Sequence, residues 1–266
     1  MSDIETFEDR VTISVTEQIA DVRLARADKM NAIDPAMFTG IGAAIDRLAG
    51  RKDVRCVVLS GEGRAFCAGL DMASMAAGGS GLSSRERNDQ GAILPQHVSW
   101  GWRNLPMPVI AAVHGVAFGG GFQIMSGADI RFAAPGTRFA IREAHWGLVP
   151  DMAGFPLWRT LVRDDVLREL VYTAREFGAE EALTHGFVTR VAEDPLDQAM
   201  ALARTIAGRS PHAIRGAKRL LNMAHDADPV AMLAAETEEQ VKVIGRPNMM
   251  EAVAANMAKR PPVFED

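Results

Sequence analysis

The fold of this chain can be worked out from the stretch VAFGGGFQIMSGADI, residues 116–130. It joins a short apolar run to an apolar helical segment through Gly119, Gly120 and Gly121. Glycine lets a backbone turn come close to a ligand, and the N–H groups of the first helical turn lie at the positive end of the helix dipole. The stretch therefore predicts a strand-to-helix turn that binds an anion or a carbonyl oxygen. The alternative is a tight turn whose glycines serve packing alone.

Composition and charge exclude several classes of protein. The chain has 266 residues, 48% of them hydrophobic, which suffices for one large domain with its own core. Its formal net charge of −5 argues against binding to nucleic acid. The apolar runs are too short to span a membrane and the acidic start MSDIETFEDR is unlike a targeting peptide, which predicts a cytoplasmic protein without membrane contact. The two cysteines match no disulfide framework or metal motif, so no metal is expected.

Outward from the glycine stretch, strand-like runs alternate with helical sequence. Nearly continuous apolar runs are typical of strands that are covered on both faces. They occupy residues 54–60, 108–115, 129–133 and 187–191. Nearer the N-terminus, two β-branched runs at 11–15 and 19–24 predict a hairpin. The pattern as a whole is typical of an α/β fold.

Helical signals frame these strands. Asp34 and Pro35 form a helix start, after which apolar residues recur at helical spacing. Beyond about residue 195 strand signals stop, and the rest of the chain reads as successive helices separated by Pro and Gly. We therefore expect a core over residues 1–200 and a helical region over 201–266 that packs on the core or on a neighbouring subunit.

A second corner of small residues lies in GEGRAFCAGLDM, residues 61–72. Ala68 and Gly69 offer a further exposed backbone N–H near a helix start. Two such donors can form an oxyanion hole, which stabilises the negative charge that develops on a carbonyl oxygen by roughly 3 kcal/mol per donor.

Five ordered segments, which together span nearly the whole chain, resemble the crotonase superfamily of enoyl-CoA hydratases and isomerases. They are RADKMNAID (26–34), VVLSGEGRAFCAGLDM (57–72), VIAAVHGVAFGGGFQIMSGADIRFA (109–133), FAIREAHWGLVP (139–150) and EALTHGFVTRVAEDPL (181–196). The resemblance implies an α/β spiral of ββα units with a C-terminal helical region that builds a homotrimer or a dimer of trimers. It also implies an acyl-CoA substrate, with coenzyme A as part of that substrate and no separate cofactor.

The resemblance assigns roles to four positions. Ala68 and Gly120 match the pair whose backbone N–H groups bind the thioester oxygen. Family hydratases carry one glutamate shortly after that glycine and a second one further on, and here those positions are Gln123 and Glu143. A carboxamide cannot take up and return a proton as a carboxylate can.

This difference favours one reaction over another. Hydration uses two titrating groups around one water, whereas moving a double bond needs a single base. We therefore expect double-bond isomerisation with Glu143 as the acid and base. The alternatives are an enoyl-CoA hydratase and a non-catalytic acyl-CoA-binding protein.

Asp151 is a further candidate for the chemistry. It follows Glu143 at a spacing similar to that of a catalytic aspartate in dienoyl-CoA isomerases of the superfamily, although those proteins also have an aspartate at the position of Gln123. Asp151 would alternatively cap the helix that begins near Phe155. The sequence leaves both roles open.

The remaining assigned residues concern the two ends of the substrate. The coenzyme A candidates implied by the resemblance are Arg26, Lys29, Ala32, Asp71, Met72 and Lys259, with solvated loop charges as the alternative for Arg26 and Lys29. The candidates for an acyl pocket are Met75, Trp100, Trp102 and Trp146. Methionine and aromatic residues are also typical of a simple core.

Overall fold

Two β-sheets and the helices around them make up the structure, which is a computed structural model. It describes residues 4–76 and 85–266, except for the side chain of Met75. Within these ranges the larger sheet has seven strands in the order β1-β2-β3-β4-β5-β7-β10, and the smaller has the order β6-β8-β9. The strands are β1 Glu5–Phe7, β2 Val11–Thr16, β3 Ile19–Leu24, β4 Cys56–Gly61, β5 Val109–Val113, β6 Val116–Phe118, β7 Ile130–Ala133, β8 Arg138–Ala140, β9 Phe177–Gly178 and β10 Arg190–Val191.

The larger sheet is antiparallel at one edge and parallel elsewhere. Strands β1 to β3 pair antiparallel, with Val11 opposite Leu24, and the strands from β3 to β10 run parallel. The predicted hairpin and the buried strands β4, β5 and β7 are therefore confirmed. The run 187–191 forms a strand only at its end, because Phe187 and Val188 enter the core before β10 begins.

Successive strands of one repeating unit lie in different sheets. After β5 the chain crosses to β6 in the smaller sheet and then enters a helix, and β7 and β8 divide between the sheets in the same way. The first crossing is made at Gly115, where φ is 65° and a Cβ atom would lie 2.0 Å from the Arg64 carbonyl oxygen. Only glycine fits there. This is the expected spiral of strand–strand–helix units.

The helices have starts that the sequence makes recognisable. Their bounds are α1 Pro35–Ala49, α2 Met72–Ala76, α3 Leu94–Asn104, α4 Gly120–Ser126, α5 Gly154–Trp158, α6 Asp164–Thr173, α7 Ala179–His185, α8 Pro195–Ala207, α9 Pro211–Met223, α10 Pro229–Val243 and α11 Pro247–Met257. Asp34 caps α1 as predicted, since its Oδ1 accepts a hydrogen bond of 2.8 Å from the Met37 N–H. Proline opens α8 to α11, where its missing N–H leaves no intrahelical bond unmade.

Helix α8 covers the face of the larger sheet that is turned away from the main core. Side chains alternate between the two faces of a strand, so Val57 and Leu59 of β4 pack in the main core while Cys56 and Val58 face the alanines of α8. Because its alanines pack on the larger sheet, α8 belongs structurally with that sheet. The predicted boundary at residue 200 lies inside this helix.

The last three helices carry apolar side chains on their surface. The most exposed large apolar side chains of these three helices are Leu221, Val230, Leu233, Val241, Met250 and Met257.

No helix in the described ranges is both long enough and apolar enough to cross a membrane.

We expect Ala203→Glu to destabilise the fold strongly. Ala203 is fully buried between α8 and the sheet, so the variant would place a carboxylate without a partner in an apolar layer. The free energy of unfolding from urea titration should fall by roughly 3 kcal/mol or more. The control is Ala201→Glu on the exposed side of the same helix, which should stay within about 0.5 kcal/mol of the wild type. Equal stability of the two variants would contradict the assignment of α8 to the core.

Candidate active site

The glycine stretch forms the predicted turn between β6 and α4. Gly119 has φ 49° and ψ −117°, a conformation that residues with a Cβ atom rarely adopt. At Gly121 a Cβ atom would lie 2.5 Å from the carbonyl oxygen of Cys67. The first turn of α4 is thereby brought against the segment 67–70. Gly120 is the first residue of α4, so its N–H has no acceptor within the helix.

An extended segment lies directly beside this helix start. The Gly69 carbonyl accepts from Ile33 N–H at 2.8 Å and the Asp71 N–H donates to the Ile33 carbonyl at 2.9 Å. Because these groups point toward Ile33, the N–H of the intervening Leu70 points away from it, and among the described residues it has no acceptor. A Cβ atom on Gly69 would lie 3.8 Å from the Gly120 nitrogen, which places the two segments side by side.

This geometry corrects the assignment of Ala68. The Ala68 N–H already donates a hydrogen bond of 2.9 Å to the carbonyl oxygen of Met30, so it is not available to a substrate. The unpaired N–H of this segment belongs to Leu70. No local sequence signal distinguishes Ala68 from Leu70, because the backbone pairing that occupies one N–H and leaves the other free is made with a distant part of the chain.

The two N–H groups open into a cavity of about 170 Å³. Its walls come from the segment 68–72, from the turn before α4 and from the segment that follows β8. The lining residues are Ala68, Gly69, Leu70, Met72, Phe118, Gly119, Gly120, Arg142, Glu143, Trp146 and Leu148.

Glu143 supplies the carboxylate of this cavity. It begins the 3-10 turn Glu143–Trp146 and is only 7% exposed. Its Oε1 accepts a hydrogen bond of 2.6 Å from Gln123 Nε2, whereas its buried Oε2 has no hydrogen-bond partner in the described part of the chain. Burial raises the pKa of Glu143 above its ordinary value, and the negative charge of Asp151 adds to this effect, while the hydrogen bonds made to the carboxylate act against it.

Gln123 is held by the backbone that follows Asp151. Its Oε1 accepts hydrogen bonds of 3.0 Å from the N–H groups of Met152 and of Gly154. All three hydrogen bonds of this carboxamide are therefore made to protein groups. Gln123 contacts the Glu143 carboxylate, and as a carboxamide it cannot take up and return a proton as a carboxylate can.

Asp151 is exposed and lies in the wall of a second cavity, of about 360 Å³. It does not cap the following helix, because α5 begins at Gly154 with Ala153 at its N-cap and no side-chain hydrogen bond there. The capping alternative for Asp151 is therefore wrong. The protein wall around its carboxylate desolvates it and raises its pKa.

Two of the coenzyme A candidates are paired with each other. Arg26 donates to Asp71 Oδ2 at 2.7 Å and to the Ala32 carbonyl at 2.9 Å. Asp71 Oδ1 also accepts from the Ala73 N–H at 3.0 Å, at the start of α2. The pair ties the loop of residues 26–32 to the wall of the first cavity.

The other coenzyme A candidates differ in position. Met72 lines the first cavity, Lys29 is exposed on the adjoining loop, and Ala32 is half-buried. Lys259 is exposed directly after α11 and is not among the residues that line either cavity.

The candidates for an acyl pocket also lie in different places. Trp146 is 53% exposed and lines the first cavity, and Trp100 lines the second. The assignment of Trp102 to a pocket is wrong, because its side chain is 0% exposed and packs in the core. Met75 as a pocket residue lies outside what the structure describes. Across the described residues, no group of three or more His, Cys, Asp or Glu side chains could hold a metal ion.

The chain that carries this pair of N–H groups and the buried carboxylate can be compared with known proteins. A sequence model of the family "Enoyl-CoA hydratase/isomerase" matches residues 14–266. The chain belongs to this family. This enoyl-CoA hydratase/isomerase family member has the fold that the resemblance implied, and an acyl-CoA substrate fits the family.

Named relatives include both activities. The chain is 31% identical to the mitochondrial Delta(3,5)-Delta(2,4)-dienoyl-CoA isomerase of Mus musculus, over 93% of this chain and 79% of that protein. It is 32% identical to the "Probable enoyl-CoA hydratase echA6" of Mycobacterium bovis, over 96% of this chain and 99% of that protein. The crystal structure of an enoyl-CoA hydratase from Bacillus anthracis is similar with a TM-score of 0.85 and 26% identity, over 96% of this chain and 98% of that chain. The two reactions must therefore be distinguished by the site itself.

We expect the stability of Glu143→Gln relative to the wild type to increase with pH. Because the pKa of Glu143 is raised in the folded state, ionisation above its ordinary value of 4.5 favours the unfolded chain. The penalty is absent in acid, where the group is protonated in both states. Urea titrations at about pH 4 and about pH 8 measure the difference in the free energy of unfolding.

The control for this experiment is Glu236→Gln, on the exposed surface of α10. Its difference from the wild type should stay within about 0.5 kcal/mol at both pH values. A difference for Glu143→Gln that is the same at both pH values would show that burial does not penalise its carboxylate.

Proposed function

We propose that this protein moves a carbon–carbon double bond within an acyl-CoA thioester, with Glu143 as the group that carries the proton. The observation that carries this proposal is the state of the two family glutamate positions. One is Glu143, with a buried and unpartnered Oε2 at the cavity. The other is Gln123, a carboxamide that cannot take up and return a proton and whose three hydrogen bonds are made to the protein.

The thioester oxygen would bind between the N–H groups of Leu70 and Gly120. When a base removes a proton next to the thioester carbon, negative charge moves to this oxygen as the enolate forms. Two fixed donors of this kind stabilise such a charge by roughly 3 kcal/mol each. Both donors are backbone groups, so they need no reorganisation of side chains during the reaction.

Glu143 Oε2 would take the proton from one carbon and return it to another. A carboxylate whose pKa is raised by burial both accepts and donates a proton more readily at neutral pH than an ordinary one. The reaction is balanced, since the proton and the electron pair stay within the substrate and the enzyme. Coenzyme A is part of the substrate, and no further cofactor is required.

Asp151 would be a second proton carrier for conjugated dienoyl substrates. Its negative charge raises the pKa of Glu143, and it lies in the wall of the second cavity instead of capping a helix. A conjugated pair of double bonds moves by proton transfer at a distant carbon, which one base does not reach. The two carboxylates together would serve both ends of such a substrate.

The nucleotide end of the substrate would lie along the loop of residues 26–32, with Lys29 as its phosphate contact. Arg26 and Asp71 would act indirectly, because they are paired and hold this loop to the cavity wall. Lys259 as a contact supplied by a neighbouring subunit remains a prediction. So does the homotrimer or dimer of trimers, which the apolar side chains exposed on α10 and α11 support.

The test is a panel of enoyl-CoA and conjugated dienoyl-CoA thioesters, followed by ultraviolet absorbance and mass spectrometry. Isomerisation changes absorbance and leaves the mass unchanged, whereas hydration adds the mass of water. We expect absorbance changes without a mass change, and at least a thousandfold loss, about 4 kcal/mol, in Glu143→Gln. Binding of a saturated acyl-CoA should stay within about threefold, since the backbone donors are intact. Rapid addition of water by the wild type would make the protein a hydratase, and binding of all thioesters without turnover would make it a non-catalytic protein.

Asp151→Asn should separate the two kinds of isomerase substrate. On a conjugated dienoyl-CoA we expect a loss of several hundredfold, roughly 3–4 kcal/mol of transition-state stabilisation. On a simple enoyl-CoA the rate should change by no more than about threefold. Asp151 caps no helix and its ionised carboxylate is desolvated in the folded state, so the variant should be at least as stable as the wild type at neutral pH and the loss can be assigned to chemistry. Equal rates of variant and wild type on every substrate would remove Asp151 from the reaction.

A further inference from the structure

The orientation of the Gln123 carboxamide is determined by the backbone around it. The side chain is 1% exposed, and its Oε1 faces the N–H groups of Met152 and Gly154 at 3.0 Å. A backbone N–H can donate to the oxygen of a carboxamide and not to its NH2 group. The nitrogen therefore has to face Glu143, to which it donates at 2.6 Å.

This hydrogen bond divides the two oxygens of Glu143. Oε1 is occupied by Gln123, whereas Oε2 is buried and unpartnered. A carboxylate held at one oxygen cannot rotate freely about its last bond. Oε2 is therefore the oxygen left without a partner and available to take a proton, and the hydrogen bond to Oε1 sets its position.

The same carboxamide joins the base to the turn that carries Asp151. Met152 and Gly154 lie directly after Asp151, and both donate to Gln123. A shift of this turn would move the Gln123 side chain and with it the carboxylate of Glu143.

We propose that Gln123 is a positioning residue for Glu143, which holds Oε1, presents Oε2 as the basic oxygen and keeps the base in a fixed relation to the turn 151–154. This inference rests on the proposed function, in which Glu143 is the base. Gln123 itself touches no substrate atom.

Few other charges act on Glu143. Asp151 raises its pKa, while Arg142 is directed to Glu176 at 3.0 Å. Helix α4 carries no charged side chain, and His145 of the 3-10 turn is exposed. The charged side chains of α6, which packs against the 3-10 turn, are exposed and engaged mainly with one another or with neighbouring arginines; the ion pairs are Arg168–Asp164, Arg163–Asp165 and Arg175–Glu169.

The first test variant is Gln123→Met, which keeps the volume and removes all three hydrogen bonds. Loss of the donor to the carboxylate raises the pKa of Glu143, so the acidic limb of the kcat profile should move to higher pH. On the plateau kcat should fall about tenfold or more because the base is no longer held. KM should change by no more than about threefold, since the thioester donors are untouched.

The matched control is Asn248→Leu. Asn248 is a buried carboxamide that also makes three hydrogen bonds, to His212 and twice to the backbone of Glu265, remote from both cavities. Its loss should lower the free energy of unfolding and leave kcat and its pH profile as in the wild type. The comparison separates a general loss of stability from an effect on the base.

The second test variant is Gln123→Glu, which keeps an oxygen for both backbone donors. At the oxygen facing Glu143, a shared proton replaces the hydrogen of the carboxamide, and the two carboxyl groups titrate as a pair. While that proton is bound, kcat should stay within about tenfold of the wild type. When it is lost at higher pH, two negative oxygens repel each other and kcat should fall along a new limb that the wild type lacks.

The outcomes decide between positioning and a merely structural role. A structural role predicts that Gln123→Glu, which keeps both backbone bonds, has the profile of the wild type at every pH. That result would overturn the inference, and so would an unchanged acidic limb and kcat in Gln123→Met. A shifted limb in Gln123→Met together with the new limb in Gln123→Glu supports it.

A separate measurement shows whether Glu143 is the base at all. A β,γ-unsaturated hexenoyl-CoA is incubated in deuterium oxide, and deuterium uptake next to the thioester is followed by mass spectrometry. Uptake that disappears in Glu143→Gln supports the base role, so that an unaltered Gln123 variant then overturns only this inference. Uptake in Glu143→Gln at the wild-type rate would overturn the proposed function and the inference together.

Discussion

The contact between the start of α4 and the segment 67–70 is the constraint on which the site depends. Gly121 has no room for a side chain because the Cys67 carbonyl lies 2.5 Å from the position of its Cβ. Cys67 is in turn hydrogen-bonded to both ends of β6: its N–H donates to the Val116 carbonyl and its carbonyl accepts from the Phe118 N–H, at 3.1 Å each. The backbone of α4 thus lies directly against Cys67, because Gly121 carries no side chain. The adjacent N–H groups of Leu70 and Gly120 follow from that contact.

An aromatic cluster packs around the helix that carries Gln123, the partner of the buried carboxylate. Phe122, the neighbour of Gln123, packs against Phe139, Trp158, Phe177 and Phe187 with ring centroids 5.1–5.9 Å apart. Aromatic clusters of this kind bury large areas and hold their members in defined geometry. An unpartnered carboxylate oxygen is costly in stability. The rigid aromatic layer under α4 lets the fold keep that oxygen in place.

Patterns that are local in sequence predicted most of the fold and part of the site. Strand runs, the Asp34 cap and the glycine turn depend on neighbours in the chain, and they were recognisable. The choice between Ala68 and Leu70 was not, because it is made by pairing with Met30 and Ile33, well over thirty positions away. Trp100 and Trp102 lie on opposite sides of α3, and the sequence did not show which side the core would occupy. The sequence likewise contains no signal that the backbone N–H groups after Asp151 donate hydrogen bonds to Gln123.

The cradle formed by the Met152 and Gly154 N–H groups has a consequence for how such enzymes diverge. It requires an oxygen as the fourth heavy atom along the side chain, and the carboxamide of Gln and the carboxylate of Glu both supply one. Both backbone hydrogen bonds are therefore kept when a single heavy atom is exchanged at this position, while the charge and the chemistry of the site change. A single substitution at this position can therefore change a site with two proton carriers into a site with one. The protein still folds after that substitution. Selection can then act on the reaction while the fold stays the same.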